Sequence, residues 1–248
     1  MTIESENDVV ALKHIGRIVS LVLQHMLDAA EPGMTTRELD LIGEGLLQEH
    51  GARSAPRLAY NFPGSTCISI NEEAAHGIPG ERIIQAGDVL NVDVSAELDG
   101  YFADTGGTTV VPPTTALKTR LCHATRTALE EAMQRARAGM PLNGIGAAIE
   151  RTAKGHGFKV IENLASHGVG RALHEEPAHI LGYFDPSDRR VLQEGMVITI
   201  EPFLSTRSRV VTETSDGWTL AGVRGNLSAQ YEHTMIITKG SPIVVTQH

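Results

Sequence analysis

Apolar residues recur at helical spacing in two long segments, and each segment is followed by short runs with strand character. Residues 7–29 and 116–137 show the three- and four-residue spacing of amphipathic helices. Each is followed by a shorter helical segment, after Pro32-Gly33 in one case and after Met140-Pro141 in the other. Strand-like runs come next in both halves. The pattern predicts an ordered chain of the α/β (α+β) class.

The two halves of the chain repeat one another. Gln85-Ala-Gly-Asp-Val-Leu-Asn-Val-Asp93 matches Gln193-Glu-Gly-Met-Val-Ile-Thr-Ile-Glu201 at an offset of 108 residues (201 minus 93). Both segments end in an acid, and chance rarely places an acid at matching points of two repeats. We therefore expect a single catalytic domain over residues 1–248, built from pseudo-repeats at roughly 7–111 and 116–247.

A hairpin brings two acids together in the first half. Asp99-Gly100 predicts a two-residue turn, because both central positions of such a turn favour positive φ. Paired residue numbers then sum to 199, and strand alternation places Asp93 and Asp104 on one face, roughly 7 to 8 Å apart at the backbone. If the halves pack about a pseudo-dyad, Asp93 meets Glu201 and Asp104 meets Glu232.

Four carboxylates that face one cavity need positive charge nearby. Two carboxylates about 4 Å apart repel by roughly 4 kcal/mol at an effective dielectric constant near 20. Such a set either binds protons or holds about four positive charges. Two divalent cations meet that requirement.

Composition and charge argue against several classes of protein. The chain has 248 residues, of which 41% are hydrophobic, and this is enough for a sizeable core. Its 21 basic and 30 acidic residues give a net charge of -9, so no nucleic-acid-binding signature is present. No segment has the roughly 18 uninterrupted apolar residues of a membrane span, and the acidic start at Met1 does not resemble a signal peptide. We expect a cytoplasmic protein, in which Cys67 and Cys122 do not form a disulfide.

Several motifs, in order along nearly the whole chain, resemble those of type I methionine aminopeptidases. They are Ala75-His-Gly-Ile-Pro79, Asn91-Val-Asp-Val94, Ala103-Asp-Thr105, Ser166-His-Gly-Val-Gly-Arg171, Leu173-His-Glu-Glu-Pro177, Thr199-Ile-Glu-Pro202 and Ser228-Ala-Gln-Tyr-Glu-His-Thr234. The resemblance implies the pita-bread (creatinase/aminopeptidase) fold, with two pseudo-symmetric αβ halves around a central antiparallel sheet. It also implies a dinuclear metal site between the halves.

The same resemblance implies a role for individual side chains. The implied metal ligands are Asp93, Asp104, His167, Glu201 and Glu232. The implied catalytic residues are His76, His174 and Glu201, the two histidines contacting the substrate and the glutamate also moving a proton. The implied wall of the substrate pocket contains Phe62, Cys67 and Trp218, with Ala59 and Leu173 standing where relatives carry aromatic residues.

The implied reaction is removal of the N-terminal methionine from peptides and nascent polypeptides. Two divalent metal ions would provide hydroxide from bound water at neutral pH. One histidine among oxygen ligands suits cobalt, manganese, iron or zinc without choosing between them. Nascent substrates are compatible with a transient association with the ribosome, although the chain has no basic tail, and we expect a monomer.

Other readings of the motifs involve the same fold. An aminopeptidase P or prolidase has the same ligands but normally adds an amino-terminal domain for which this chain has no room. A type II methionine aminopeptidase carries a long helical insertion, whereas only 27 positions (201 minus 174) separate His174 from Glu201. A metal-free binding protein on this fold usually loses ligands, and all five are present here.

Overall fold

Each half of the chain begins with two helices and continues mainly as strands. The computed structural model describes residues 1–247. The helices are α1 (Glu6–Ala29), α2 (Thr36–Glu49), α3 (Ala55–Tyr60), α4 (Ala116–Met133) and α5 (Asn143–His156). The strands of the first half are β1 (Arg53–Ser54), β2 (Cys67–Ile70), β3 (Glu73–Ala75), β4 (Val89–Leu98) and β5 (Tyr101–Val110). Those of the second half are β6 (Lys159–Val160), β7 (Ala165–Gly168), β8 (Glu175–Leu181), β9 (Val197–Ile200), β10 (Phe203–Ser205), β11 (Thr212–Glu213), β12 (Leu220–Ala221), β13 (Ser228–Gln230), β14 (His233–Ile236) and β15 (Ile243–Val244).

Capping residues fix where the first two helices begin. The Ser5 hydroxyl accepts a hydrogen bond from the Asp8 N–H (3.3 Å), and the Asp8 carboxylate accepts one from the Ser5 N–H (2.9 Å). Thr35 and Glu38 form the same reciprocal pair at the start of α2 (3.1 and 2.8 Å). Each pair satisfies backbone donors that the first helical turn leaves free. The helices predicted in these segments are confirmed.

The first helix of the second half is shorter than predicted. It ends at Met133, whereas the apolar spacing continues to residue 137. The spacing persists because Ala136 is fully buried, but the chain has already left the helix. There the Ala138 N–H donates to the Thr238 carbonyl (2.9 Å), a partner from another part of the chain. The N–H groups of residues 135–137 bond to carbonyls only two or three positions back, so tighter turns replace the last predicted helical turn.

The hairpin of β4 and β5 has the predicted register. Asp99 and Gly100 have φ values of 51° and 80°, as a two-residue turn requires. Ser95 pairs with Asp104, and Asp93 pairs with Gly106. Asp93 and Asp104 therefore lie two positions apart on one face of a continuous ladder.

The strand pairs among the described residues are antiparallel. In the first half, β4 pairs with β5 along one edge and with β2 and then β1 along the other. In the second half, the largest sheet has the order β15-β14-β9-β7-β8. Smaller sheets have the orders β13-β10-β6 and β11-β12-β3. This mixed architecture with antiparallel sheets agrees with the predicted fold class.

Each half has its own hydrophobic core. In the first half, α1 and α2 pack against β2 and β4, with Ile15 and Leu90 fully buried. In the second half, α4 and α5 pack against β9 and β10, with Leu121 and Ile198 fully buried. Each such side chain contributes roughly 1.5 to 3 kcal/mol by leaving water. Within residues 1–247, no helix is long and apolar enough to cross a membrane.

Hydrogen bonds across the junction join β5 to β14 and to the residue just before it. The Glu232 N–H donates to the Gly106 carbonyl (2.9 Å), and the Thr105 hydroxyl donates to the Glu232 carbonyl (2.8 Å). The Thr234 hydroxyl donates to the Asp104 carbonyl (2.8 Å) and accepts from the Asp104 N–H (3.0 Å). These bonds hold Asp104 of the first half close to Glu232 of the second half.

Candidate metal centre

The five predicted ligands converge at this junction. They are Asp93 on β4, Asp104 on β5, His167 on β7, Glu201 directly after β9, and Glu232 between β13 and β14. One ligand atom from each of Asp104, His167 and Glu232 lies within 4.8 Å of the others. The Nε2 atom of His167 is 3.5 Å from Glu201 Oε1 and 4.0 Å from Asp104 Oδ2. Asp93 lines a cavity to which Asp104, His167 and Glu201 also contribute.

The hydrogen bonds of His167 fix which ring nitrogen faces the carboxylates. Its Nδ1 atom lies 2.9 Å from the Gly168 carbonyl oxygen, which can only accept, so we assign the ring proton to Nδ1. The lone pair of Nε2 therefore points toward the carboxylate oxygens of Asp104 and Glu201. Burial, followed by the neighbouring His174, lowers the pKa of His167 to about 3. The imidazole is neutral at pH 7, which is the form that binds metal ions.

The carboxylates lie where their charge is costly. Burial raises the pKa of Asp93 to about 6. It raises the pKa values of Asp104, Glu201 and Glu232 well above their ordinary range, and repulsion between the carboxylates adds to the effect. These groups hold protons or cations rather than bare charge.

Two buried oxygen atoms of the cluster indicate whether cations would fit between these side chains. Asp104 Oδ1 and Glu232 Oε1 are buried and have no hydrogen-bond partner among the described residues. A buried polar atom without a partner costs free energy, so each such atom in a folded protein needs an explanation. A set of carboxylate oxygens with one neutral imidazole is a donor set for divalent cations such as manganese, iron, cobalt or zinc. The residues therefore fit a bound divalent metal.

A second set of side chains holds the ligands in place. The Thr199 hydroxyl donates to Glu201 Oε1 (3.1 Å) and accepts from the His167 N–H (3.1 Å). Gln230 Nε2 donates to Glu232 Oε2 (3.0 Å). Neither Thr199 nor Gln230 was among the residues predicted for the site. Each precedes an acid by two positions, so the two-residue period of a strand could have placed them on the ligand face.

A cavity of about 450 Å³ opens beside the cluster. Its lining includes the predicted ligands Asp93, Asp104, His167 and Glu201 together with the predicted substrate residues Phe62, Cys67, His76, Leu173, His174 and Trp218. The Phe62 and Trp218 rings meet edge to face with centroids 5.2 Å apart. Burial and the charge of Asp93 raise the pKa of the Cys67 thiol, so this side chain is neutral. Carboxylates and an apolar wall thus share one cavity.

The role of Ala59 in the substrate pocket stays a prediction. Ala59 is exposed and outside the lining, whereas Tyr60 is part of it. Both residues belong to the short helix α3, on which Pro56 and Tyr60 lie four positions apart and share the cavity face. A step of one residue turns Ala59 toward solvent. The Tyr60 hydroxyl lies 2.7 Å from Nδ1 of His174.

The two other predicted histidines also reach the cavity. His76 follows β3 with a φ of 56°, a conformation that is strained for a residue with a side chain. Next to it, a Cβ atom on Gly77 would lie 2.1 Å from the Ile68 carbonyl oxygen, so only glycine fits. The His174 ring lies beside the His167 ring, with centroids 4.1 Å apart and ring planes tilted by 44°. Burial lowers the pKa values of His76 and His174, so both rings are neutral at pH 7.

The fold and this donor set are those of a metallopeptidase. Residues 10–239 match the sequence model of metallopeptidase family M24, and the chain belongs to that family. It is 46% identical over 248 residues to Methionine aminopeptidase 2 of Bacillus subtilis (strain 168), a match that covers 100% of both chains. It is 47% identical to the methionine aminopeptidase of Staphylococcus epidermidis (strain ATCC 12228 / FDA PCI 1200), covering 100% of this chain and 99% of the relative.

Solved structures agree with this assignment. The methionine aminopeptidase of Thermotoga maritima superposes with a TM-score of 0.95 at 31% identity, covering 100% of both chains. The prolidase of Pyrococcus furiosus shares the fold, with a TM-score of 0.79 at 23% identity, but this chain covers only 66% of it. The resemblance to methionine aminopeptidases and the pita-bread fold that the motifs implied are both confirmed.

Proposed function

We propose that the protein removes the N-terminal methionine from peptides and nascent polypeptides by metal-dependent hydrolysis. The observation that carries this proposal is the cluster of four carboxylates, three buried and one half-buried, with one neutral imidazole beside an apolar cavity. Two of its oxygen atoms, Asp104 Oδ1 and Glu232 Oε1, have no hydrogen-bond partner among residues 1–247. Similarity to methionine aminopeptidases over the whole chain supports the substrate.

The cluster would hold two divalent cations. The ligands would be Asp93, Asp104, His167, Glu201 and Glu232, and the ions cobalt, manganese, iron or zinc. Four carboxylates against two divalent ions bring the site close to neutral. Such ions supply a nucleophile from water at neutral pH and polarise the carbonyl that is attacked.

Side chains of the cavity would perform the remaining steps. His76 and His174 would donate ring N–H groups to the scissile peptide, where charge develops on the carbonyl oxygen. Glu201 would take the proton from the attacking water and return it to the leaving amine. It would do so through the carboxylate oxygen that does not accept from the Thr199 hydroxyl.

The apolar wall would bind the methionine side chain. Phe62 and Trp218 offer aromatic surface, and methionine sulfur contacts aromatic rings favourably. Cys67 and Leu173 would complete the wall, since both line the cavity and neither carries charge there. The proposed catalytic domain spans residues 1–248, with pseudo-repeats at roughly 7–111 and 116–247. We further propose that it acts as a monomer in the cytoplasm, in transient contact with the ribosome.

The alternative functions are less well supported. Prolidases share the fold at 23% identity or less, and this chain covers about two thirds of their length at most. A metal-free binding protein has no need of four carboxylates gathered around one buried imidazole. The methionine aminopeptidase reading therefore accounts for more of the cavity.

The test uses chelated protein reconstituted with cobalt, manganese, iron or zinc and incubated with Met-Ala, Met-Val and Ala-Pro peptides. We expect methionine to be released only with metal, and up to two ions to be bound per chain. Asp104→Asn should be inactive, because it deletes a charged ligand at constant volume. Asp99→Asn, at the tip of the same hairpin, is the matched control and should stay active. Full activity of Asp104→Asn in metal-free buffer, or preferred cleavage of Ala-Pro, would overturn the proposal.

A further inference from the structure

Tyr60 contacts one nitrogen of a histidine in the cavity. Its hydroxyl oxygen lies 2.7 Å from Nδ1 of His174, and the two ring centroids are 5.5 Å apart. Tyr60 as a whole residue is 47% exposed, so burial alone does not account for its position. The contact joins residues 114 positions apart in the sequence. Both residues line the cavity, so the contact links α3 to the segment before β8.

The helix that carries Tyr60 is anchored at both ends. At its start, the Ser54 hydroxyl donates to the Ser65 carbonyl (2.7 Å) and caps the helix through the Arg57 N–H (3.4 Å). At its end, Asn61 adopts the left-handed conformation and its N–H donates to the Arg57 carbonyl (3.1 Å). The hydroxyl of Tyr60 is therefore presented to His174 from a fixed backbone.

A neutral imidazole has a single ring proton, and the partner on one nitrogen decides where that proton lies. His167 illustrates one outcome, because the Gly168 carbonyl accepts from its Nδ1 and leaves a lone pair on Nε2. His174 has a hydroxyl at the same nitrogen instead of a carbonyl. A hydroxyl can donate, and if it does, the ring proton of His174 must lie on Nε2.

We propose that Tyr60 is a positioning residue whose hydroxyl donates to Nδ1 of His174 and so keeps the ring proton on Nε2. This inference rests on the proposed function, in which His174 donates a hydrogen bond to the scissile carbonyl. Two imidazoles with ring centroids 4.1 Å apart then hold opposite tautomers. The ring of His167 presents a lone pair to the carboxylates and metal, and the ring of His174 presents an N–H to the substrate.

The first test is Tyr60→Phe, which keeps the ring and removes the hydroxyl. In metal-loaded protein, kcat for a Met-Ala peptide should fall roughly 2- to 10-fold with little change in KM, the scale of one neutral hydrogen bond. Tyr183→Phe makes the same chemical change outside the cavity lining and should leave kcat unchanged. In a His174→Ala background, Tyr60→Phe should have no further effect, because its action passes through that ring. An equal loss in both backgrounds would show that Tyr60 acts on the substrate directly.

The second test reads the tautomer itself. Protein with 15N-labelled histidine rings, loaded with diamagnetic zinc, gives ring nitrogen shifts that distinguish protonated from bare nitrogens, and the spectrum of His174→Ala assigns the residue. We expect Nδ1 of His174 to be bare in the wild-type protein and partly protonated in Tyr60→Phe. A protonated Nδ1 in the wild-type protein would overturn the inference. If wild-type protein releases no methionine but shows the expected tautomer, the proposed function fails and the tautomer assignment stands.

Discussion

Asp93→Asn should have opposite effects on the stability of the metal-free and metal-bound protein. Without metal, the substitution removes an ionisable group from a buried cluster of like charge. With metal, it removes a ligand. Metal at one hundred times its dissociation constant stabilises a folded protein by about 2.7 kcal/mol, and the variant should lose most of that gain.

The size of the effect without metal follows from the pKa of Asp93. Burial raises this pKa from 3.8 to about 6. Between pH 4 and pH 6 the folded protein therefore binds more protons than the unfolded chain, so the free energy of unfolding falls as the pH rises. The loss at pH 7 is roughly 3 kcal/mol, since a tenfold change in proton affinity is worth about 1.4 kcal/mol. Asp93 is only half-buried, so solvent screening makes this value an upper limit.

Urea unfolding of chelated protein at pH 4 and pH 7 measures the effect. At pH 7 metal-free Asp93→Asn should be more stable than the wild-type protein by up to about 3 kcal/mol, and at pH 4 this advantage should disappear. Asp99→Asn, which alters an exposed turn residue of the same hairpin, is the control and should show no such difference between the two pH values. If metal-free Asp93→Asn is less stable than wild type at pH 7, the electrostatic reasoning is wrong.

Other substitutions probe the imidazoles, the pocket and its support. His174→Ala should lower kcat roughly 100- to 1000-fold with its metal content unchanged. His167→Ala should instead lose metal, as measured by elemental analysis. Loss of metal from His174→Ala would show that His174 is a metal ligand. Leu173→Phe should narrow the pocket. The ratio of kcat/KM for methionine and isoleucine peptides should then change by a factor that corresponds to roughly 1 to 3 kcal/mol. An unchanged ratio would show that other residues determine the specificity. Asp40→Ala removes a buried carboxylate that accepts from the backbone of residues 65–66 and should cost roughly 3 kcal/mol in urea unfolding; a loss below 1 kcal/mol would contradict this.

Local rules explain why much of the site could be predicted from the sequence. The register that aligns Asp93 with Asp104 is set by two turn residues, Asp99 and Gly100, whose preference for positive φ does not depend on the rest of the fold. The matching acids of the second half follow from the internal repeat. Period two and a known turn are enough to place side chains on one face of a sheet.

The rest of the site depends on which face of a helix a residue occupies and on contacts between residues far apart in the sequence. The sequence specifies both poorly. Ala59 and Tyr60 differ by one position, and on a helix one position is a rotation of about 100°. Without knowing that α3 begins at Ala55, motif spacing cannot decide which of the two faces the cavity. The early end of α4 has a similar cause, because buried Ala136 keeps the apolar spacing after the helix has ended.

The two neighbouring imidazoles show what kind of information the sequence lacks. His167 owes its proposed role as a ligand to the backbone carbonyl of the next residue, a group that every residue type has. His174 depends on a hydroxyl from a residue 114 positions away, and no local pattern links the two. The motifs contain both histidines, but an imidazole becomes a metal ligand or a hydrogen-bond donor through the partner of its other nitrogen. Assigning chemistry to a histidine in this cavity therefore requires the identity of the atom on Nδ1, and for His174 that atom belongs to Tyr60.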